Sequence, residues 1–133
     1  MYQLTLPYPP SANKNYLYTN RVRLSKTVRT YRENVYAVLL EEGVKPMEGW
    51  LTATIDLYPP DNHKRDGDNP VKPLFDALQH GGLFADDYQI KKHTVERFDP
   101  IPPHGHVIFT ITEYQARNPL EDELQIKNYT EQP

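Results

Sequence analysis

The sequence of 133 residues contains no cysteine. Disulfide bonds, thiolate metal sites and a catalytic cysteine are therefore excluded. No apolar run approaches the roughly 18 residues of a membrane-spanning helix, and no basic stretch followed by an apolar run marks a signal peptide. A serine nucleophile elbow, a Walker loop and a dinucleotide-binding glycine pattern are also absent. We therefore expect a cytoplasmic protein without a membrane partner, whose chemistry depends on other groups.

Acidic residues slightly outnumber basic ones, 18 Asp and Glu against 15 Lys and Arg, and the net charge of −3 argues at first sight against a nucleic-acid partner. The charge is unevenly distributed, however, because residues 119–133 alone carry −3. Six basic residues precede the first acid, Glu33, and three tyrosines lie among them. The basic residues are Lys14, Arg21, Arg23, Lys26, Arg29 and Arg32. Such a segment can follow a phosphate backbone, although a solvated loop and helix face explains it equally well.

Hydrophobic periodicity predicts alternating strands and helices. Alternation predicts strands over 2–6, 50–58, about 90–98 and 105–114, whereas a polar loop is expected to extend to about Leu24. A helix over roughly 26–42 follows Ser25 as N-cap and stops at Gly43. A second helix begins at Asn69-Pro70 and stops at Gly81-Gly82.

The length suits one domain. The order strand, helix, strand, helix, strand, strand predicts an α+β fold, with a single mixed β-sheet of about four strands and two main helices packed on it. The order of strands within the sheet is not predicted. We expect this domain to comprise residues 1–115, and residues 116–133 to form an acidic, flexible C-terminal tail.

Six aspartates lie between positions 61 and 87: Asp61, Asp66, Asp68, Asp76, Asp86 and Asp87. Asp66 and Asp68 precede the second helix, where the turn can direct both carboxylates to one point, and Lys72 shares a helical face with Asp68. Carboxylates beside a cation suit a divalent metal and phosphoryl transfer. Helix capping and solvation explain the same spacing more often. We expect Asp76 to be an exposed helix charge that pairs with Lys72.

Three stretches of the sequence contain recognisable motifs. Residues 60–78 contain Asp-Gly-Asp-Asn, a lysine four residues after the second Asp, and Phe-Asp-Ala-Leu. Residues 84–90 contain Asp-Asp-Tyr-Gln-Ile, and residues 9–13 are Pro-Pro-Ser-Ala-Asn. These motifs resemble those of the RusA family of Holliday junction resolvases. Together with the first helix and last strand, the similarity extends over about residues 2–114.

The resemblance implies a homodimeric, Mg2+-dependent endonuclease, with Mn2+ as a substitute, that cuts four-way DNA junctions by paired symmetric nicks. Asp66, Asp68 and Asp87 match the family's metal-binding catalytic carboxylates, and Lys72 matches its essential lysine. In some members a continuous arginine run precedes the first of these aspartates, but here it is reduced to His-Lys-Arg. The expected DNA-binding residues are Asn13, Lys14, Arg21, Arg23, Lys26, Lys64 and Arg65. The sequence does not distinguish a bacterial protein from one encoded by a prophage.

Two other functions are weighed against this one. A non-catalytic dimer that binds branched DNA is less well supported, because binding alone gains little from concentrated negative charge near DNA. A glycosidase with two carboxylates needs an acid of raised pKa in an apolar pocket. The basic residues and the lack of an aromatic sugar platform near 61–72 argue against it.

Overall fold

The computed structural model describes residues 1–10, 16–18, 22–63 and 69–116, with 16–18 and 22–24 described as backbone. Within these ranges the elements are β1 (Tyr2–Leu6), β2 (Tyr16–Tyr18), β3 (Val22–Leu24), α1 (Lys26–Glu41), β4 (Leu51–Tyr58), α2 (Val71–His80), a 3-10 turn (Asp87–Gln89), β5 (Ile90–Arg97) and β6 (His106–Glu113). The four predicted strands and both predicted helices are confirmed. The tail expected at residues 116–133 lies outside the described residues apart from its first position.

The predicted polar loop before Leu24 is wrong at β2 and β3, which form a small antiparallel hairpin. Tyr16 lies opposite Leu24, and Tyr18 lies opposite Val22. Each strand has three residues, whereas alternation of apolar and polar residues becomes recognisable over about four to eight. Their pairing therefore had no periodic signal in the sequence.

Ser25 is the N-cap of α1, as predicted, and its hydroxyl accepts a hydrogen bond from the Val28 N–H at 3.3 Å. α2 begins at Val71, one residue after the predicted start at Asn69-Pro70, and its N-cap position is Pro70. The Asn69 side-chain oxygen accepts a hydrogen bond from the Val71 N–H at 3.1 Å. Each bond satisfies a backbone donor that the first helical turn leaves without an intrahelical partner.

The main sheet has the strand order β1-β6-β4-β5. β6 pairs antiparallel with both β1 and β4, whereas β4 and β5 are parallel. Parallel neighbours require a connection that crosses from one end of the sheet to the other, and α2 makes this crossing. The segment 81–89 is thereby placed at the amino end of β5, directly before the first residue of that strand.

The core lies between one face of the sheet and the two helices. Alternate residues of the central strands are buried on this face, among them Ile55 of β4 and Phe109 of β6. The helices contribute the following buried side chains: Val28, Tyr31, Val35, Leu39, Leu74, Phe75, Ala77 and Leu78. A Cβ on Gly81 would lie 2.6 Å from a methyl carbon of Leu39. Glycine at this position therefore allows α1 to pack closely against the end of α2.

Candidate active site

Asp87 lies on a turn whose backbone donors are bonded to side chains. Asp86 is the N-cap and accepts a hydrogen bond from the Tyr88 N–H at 2.9 Å. The Gln89 side-chain oxygen accepts bonds from the N–H groups of Ala85 at 2.9 Å and Asp86 at 3.2 Å. This is a capping box, in which the first and last residues of the turn satisfy each other's backbone. The turn therefore holds the Asp87 backbone in one orientation.

Gln89 also attaches this turn to another part of the chain. Its amide nitrogen donates to the backbone carbonyl oxygens of Met47 at 3.2 Å and Gly49 at 3.0 Å. A glutamine amide has two donor hydrogens and an oxygen with two lone pairs, so these four bonds use all of its capacity. We therefore assign Gln89 a positioning role. The Asp-x-x-Gln spacing is the sequence signal of a capping box, but the contacts with Met47 and Gly49 had no signal in the sequence.

One face of α2 meets the Asp87 turn. The Asp87 N–H donates to the Gln79 side-chain oxygen at 3.1 Å. On the same face, Lys72 Nζ lies 3.2 Å from Asp76 Oδ2. Positions 72, 76 and 79 follow one another at helical spacing. The chain thus folds back after α2 and brings Asp87 alongside the face that carries Lys72.

The predicted pair of Lys72 and Asp76 is confirmed, but the expected exposure of Asp76 is wrong. The Asp76 side chain is 20% exposed, whereas that of Lys72 is 60% exposed. The returning turn at 85–89 lies against this face of α2 through the hydrogen bond from the Asp87 N–H to Gln79, a contact that helical periodicity alone does not reveal. Lys72 thus has a carboxylate partner and a side chain that is mostly exposed.

The carboxyl group of Asp87 has a pKa above its usual value. Desolvation by burial is the largest cause, and the neighbouring Asp86 raises the pKa further through its charge and a side-chain hydrogen bond. The charge of Asp76 acts in the same direction, whereas Lys72 lowers the pKa. Three carboxylates thus share a small region with one lysine. Negative charge concentrated in this way favours a bound cation.

The carboxylate oxygens in this region are the hard donors that Mg2+ and Mn2+ prefer. Among residues 1–10, 16–18, 22–63 and 69–116, however, no three histidine, aspartate or glutamate side chains are arranged to hold a metal. Asp66 and Asp68, the other two predicted ligands, lie outside the described residues, so the predicted trio stays a prediction.

The structure describes two of the seven predicted DNA-binding residues. Arg23 belongs to β3, and Lys26 is the exposed first residue of α1. Lys26 lines a cleft of about 520 Å³ together with Tyr8, Thr30 and other residues of the amino-terminal segment and α1. The remaining five lie outside the described residues: Asn13, Lys14, Arg21, Lys64 and Arg65.

Within the described residues, no helix combines the length and apolar character needed to cross a membrane.

Comparison with known proteins identifies the family. Residues 7–109 match the family model described as endodeoxyribonuclease RusA. The chain is 35% identical over 117 residues to the crossover junction endodeoxyribonuclease RusA of Escherichia coli strain K12, which covers 84% of this chain and 94% of that protein. Identity and coverage are the same for the proteins of that name from Enterobacteria phage 82 and Shigella sonnei. The chain therefore belongs to the RusA family of endodeoxyribonucleases.

Proposed function

We propose that this protein is a Mg2+-dependent endonuclease that resolves four-way (Holliday) DNA junctions by paired symmetric nicks. The observation that carries the proposal is the placement of Asp87, which the capped turn holds beside Lys72 in a chain of the RusA family. The crossover junction enzymes of bacteria and a phage to which the chain is similar support a branched DNA substrate and a site of action in bacterial cytoplasm.

The proposed metal ligands are Asp66, Asp68 and Asp87, with Mg2+ as the natural ion and Mn2+ as a substitute. When bound, Mg2+ supplies Lewis acidity that lowers the pKa of a water molecule and offsets charge on the phosphate. Support comes from the raised pKa of Asp87, because a carboxylate crowded by Asp86 and Asp76 gains from a nearby cation.

Lys72 is proposed to stabilise the negative charge that develops on the phosphate. Its Nζ lies 3.2 Å from Asp76 Oδ2 and its side chain is 60% exposed, so the ammonium group has a fixed neighbour near the protein surface. A fixed cation of this kind contributes most where charge increases in the transition state. In the proposed reaction, water attacks the phosphorus and the bond from phosphorus to O3′ breaks. The products carry a 5′-phosphate and a 3′-hydroxyl.

The substrate is proposed to be held by the seven predicted DNA-binding residues and to be cut by a homodimer. A four-way junction presents two equivalent strands, and a two-fold symmetric dimer places one active site on each. Of the binding residues, Lys26 has the described position that best supports this role, since it is exposed and borders the cleft beside α1.

A gel assay on a synthetic four-way junction and its linear duplex, each with Mg2+ or with EDTA, tests the proposal. We expect symmetric nicking of the junction alone, only with Mg2+, and loss of nicking in Asp68→Asn. Glu96→Gln, which removes an exposed acid from β5, is the control and should cut normally. Cutting without metal, or equal cutting of the duplex, contradicts the proposal. Tight junction binding without any cleavage favours the non-catalytic branched-DNA-binding dimer instead.

A further inference from the structure

Arg32 lies on α1 between two cavities, one of which reaches the candidate active site. The cavity of about 280 Å³ is lined by Arg32, Asp76, Gln79, His80 and Ala85. The other, of about 370 Å³, is lined by Arg29, Arg32, Glu33, Tyr36 and His80. The smaller cavity shares Asp76 and Gln79 with the surroundings of Asp87. The guanidinium group therefore borders the space directly next to the predicted catalytic groups.

The Arg32 Nε atom is buried and has no hydrogen-bond partner within the part of the chain that the structure describes. A buried donor on a charged group lowers folding stability unless it is bonded. Asp76 lines the same cavity, but its described ion pair is with Lys72 at 3.2 Å. Arg32 thus lines the cavity while its Nε donor is not used by the described protein groups.

Arg32 also supplies the positive charge that a DNA phosphate needs near this cavity. Asp76, Asp86 and Asp87 concentrate negative charge, and a DNA backbone approaching them is repelled unless positive charge lies nearby. Lys72 supplies one cation and is paired with Asp76. A guanidinium offers several N–H donors in a planar arrangement that matches the oxygens of a phosphate.

We propose that Arg32 is a phosphate-binding residue of the nuclease site. Its guanidinium donates to the oxygens of a DNA backbone phosphate lodged between α1 and the end of α2, next to the phosphate that is cut. The proposal rests on the proposed function, which it deepens by assigning the position of the strand beside Asp87. Arg32 thereby orients the substrate.

The test compares Arg32→Gln, which removes the charge, with Arg32→Lys, which keeps the charge but not the planar arrangement. Lys92→Gln, an exposed site on β5, is the charge-matched control. With Ca2+ replacing Mg2+, junction binding is measured from low to high salt. We expect Arg32→Gln to reduce the slope of log affinity against log salt by about one per protomer. With Mg2+ and saturating protein, its cleavage rate should fall by about a hundredfold because the strand is misplaced. Arg32→Lys should keep the salt slope of the wild type, and its cleavage rate should lie between those of Arg32→Gln and the wild type.

The thermal midpoint of the DNA-free variants separates binding from a structural role. Because Nε lacks a described partner, Arg32→Gln should unfold at the same temperature as the wild type or at a higher one. A clear fall in the midpoint, or an unchanged salt slope and cleavage rate, overturns the proposal. If the wild type cuts no junction, the proposed function fails, while the salt slope still decides whether Arg32 binds phosphate.

Discussion

Polar groups are bonded differently in the turn at residues 85–89 and around the cavity that it faces. In the turn, the backbone N–H groups of Ala85, Asp86, Asp87 and Tyr88 all donate to side-chain oxygens. Near the cavity, the Asp87 carboxyl has a raised pKa, and the Nε of Arg32, which lines the cavity, has no partner within the described residues. The two regions are adjacent in the fold. Neither the distance between them nor loose packing of the whole fold therefore explains why their polar groups differ.

The difference indicates which polar groups hold the site together and which face a ligand. Groups that the protein satisfies, such as the Gln89 amide, should matter for stability and geometry. Groups in an electrostatically unfavourable position, such as the Asp87 carboxylate, should matter for binding metal and DNA. Their replacement should change the free energy of unfolding little. The following variants test this distinction, in order of decreasing effect.

Asp87→Asn should reduce junction cleavage by at least about a thousandfold, because losing a metal ligand removes several kcal/mol of transition-state stabilisation. Its thermal midpoint without metal should equal or exceed that of the wild type, since a neutral amide relieves the repulsion with Asp86 and Asp76. Single-turnover cleavage and calorimetry measure the two effects. A variant that loses both activity and stability would place Asp87 among the structural groups.

Lys72→Ala should reduce cleavage by about a hundredfold, in the range found when one electrostatic donor to a transition state is removed. Junction binding, measured with Ca2+ in place of Mg2+, should change by less than about threefold, because many other contacts to the backbone remain. If binding is lost to the same extent as cleavage, Lys72 is a backbone anchor rather than a catalytic group.

Gln89→Ala should lower the free energy of unfolding by about 2 kcal/mol, because it removes four hydrogen bonds, one of them in a partly buried position. Cleavage should fall by about tenfold through displacement of Asp87. Gln3→Ala is the matched control, since the exposed Gln3 amide makes one bond of 3.3 Å to Thr110 and should change stability by less than about 0.5 kcal/mol. Equal effects of the two substitutions would show that the capping box adds no special stability.

The smallest expected effect is the pH dependence of stability without metal. The pKa of Asp87 is raised in the folded protein above 3.8, so between this value and the folded pKa the folded state binds more protons than the unfolded state. Stability contributed by protonated Asp87 is therefore lost as the pH rises through this window. Urea titrations from pH 3 to pH 7 should show Asp87→Asn gaining stability relative to the wild type over this window, and Mg2+ should then stabilise only the wild type. A gap that narrows as the pH rises contradicts the sign of the pKa change.

Much of the fold could be predicted because local rules decide it. Ile55 and Phe109 are buried as strand alternation predicts, and the side-chain oxygens of Ser25 and Asn69 accept hydrogen bonds from N–H groups in the first turns of their helices. The hairpin that begins at Tyr16 was missed because its strands are too short for a periodic pattern. The predicted exposure of Asp76 was wrong because the burial of a helical side chain depends on parts of the chain that are distant in sequence.

The sequence by itself determined the main helices and strands, their buried faces and the residues that mark the family, including Asp66, Asp68, Lys72 and Asp87. These features depend on periodicity and on motifs of adjacent residues. Only the tertiary structure decided the strand order β1-β6-β4-β5, the contact between the Asp87 N–H and Gln79, and the cavity that Arg32 and Asp76 line together. Such contacts join residues far apart in the chain, and the packing of whole elements sets them rather than any local pattern.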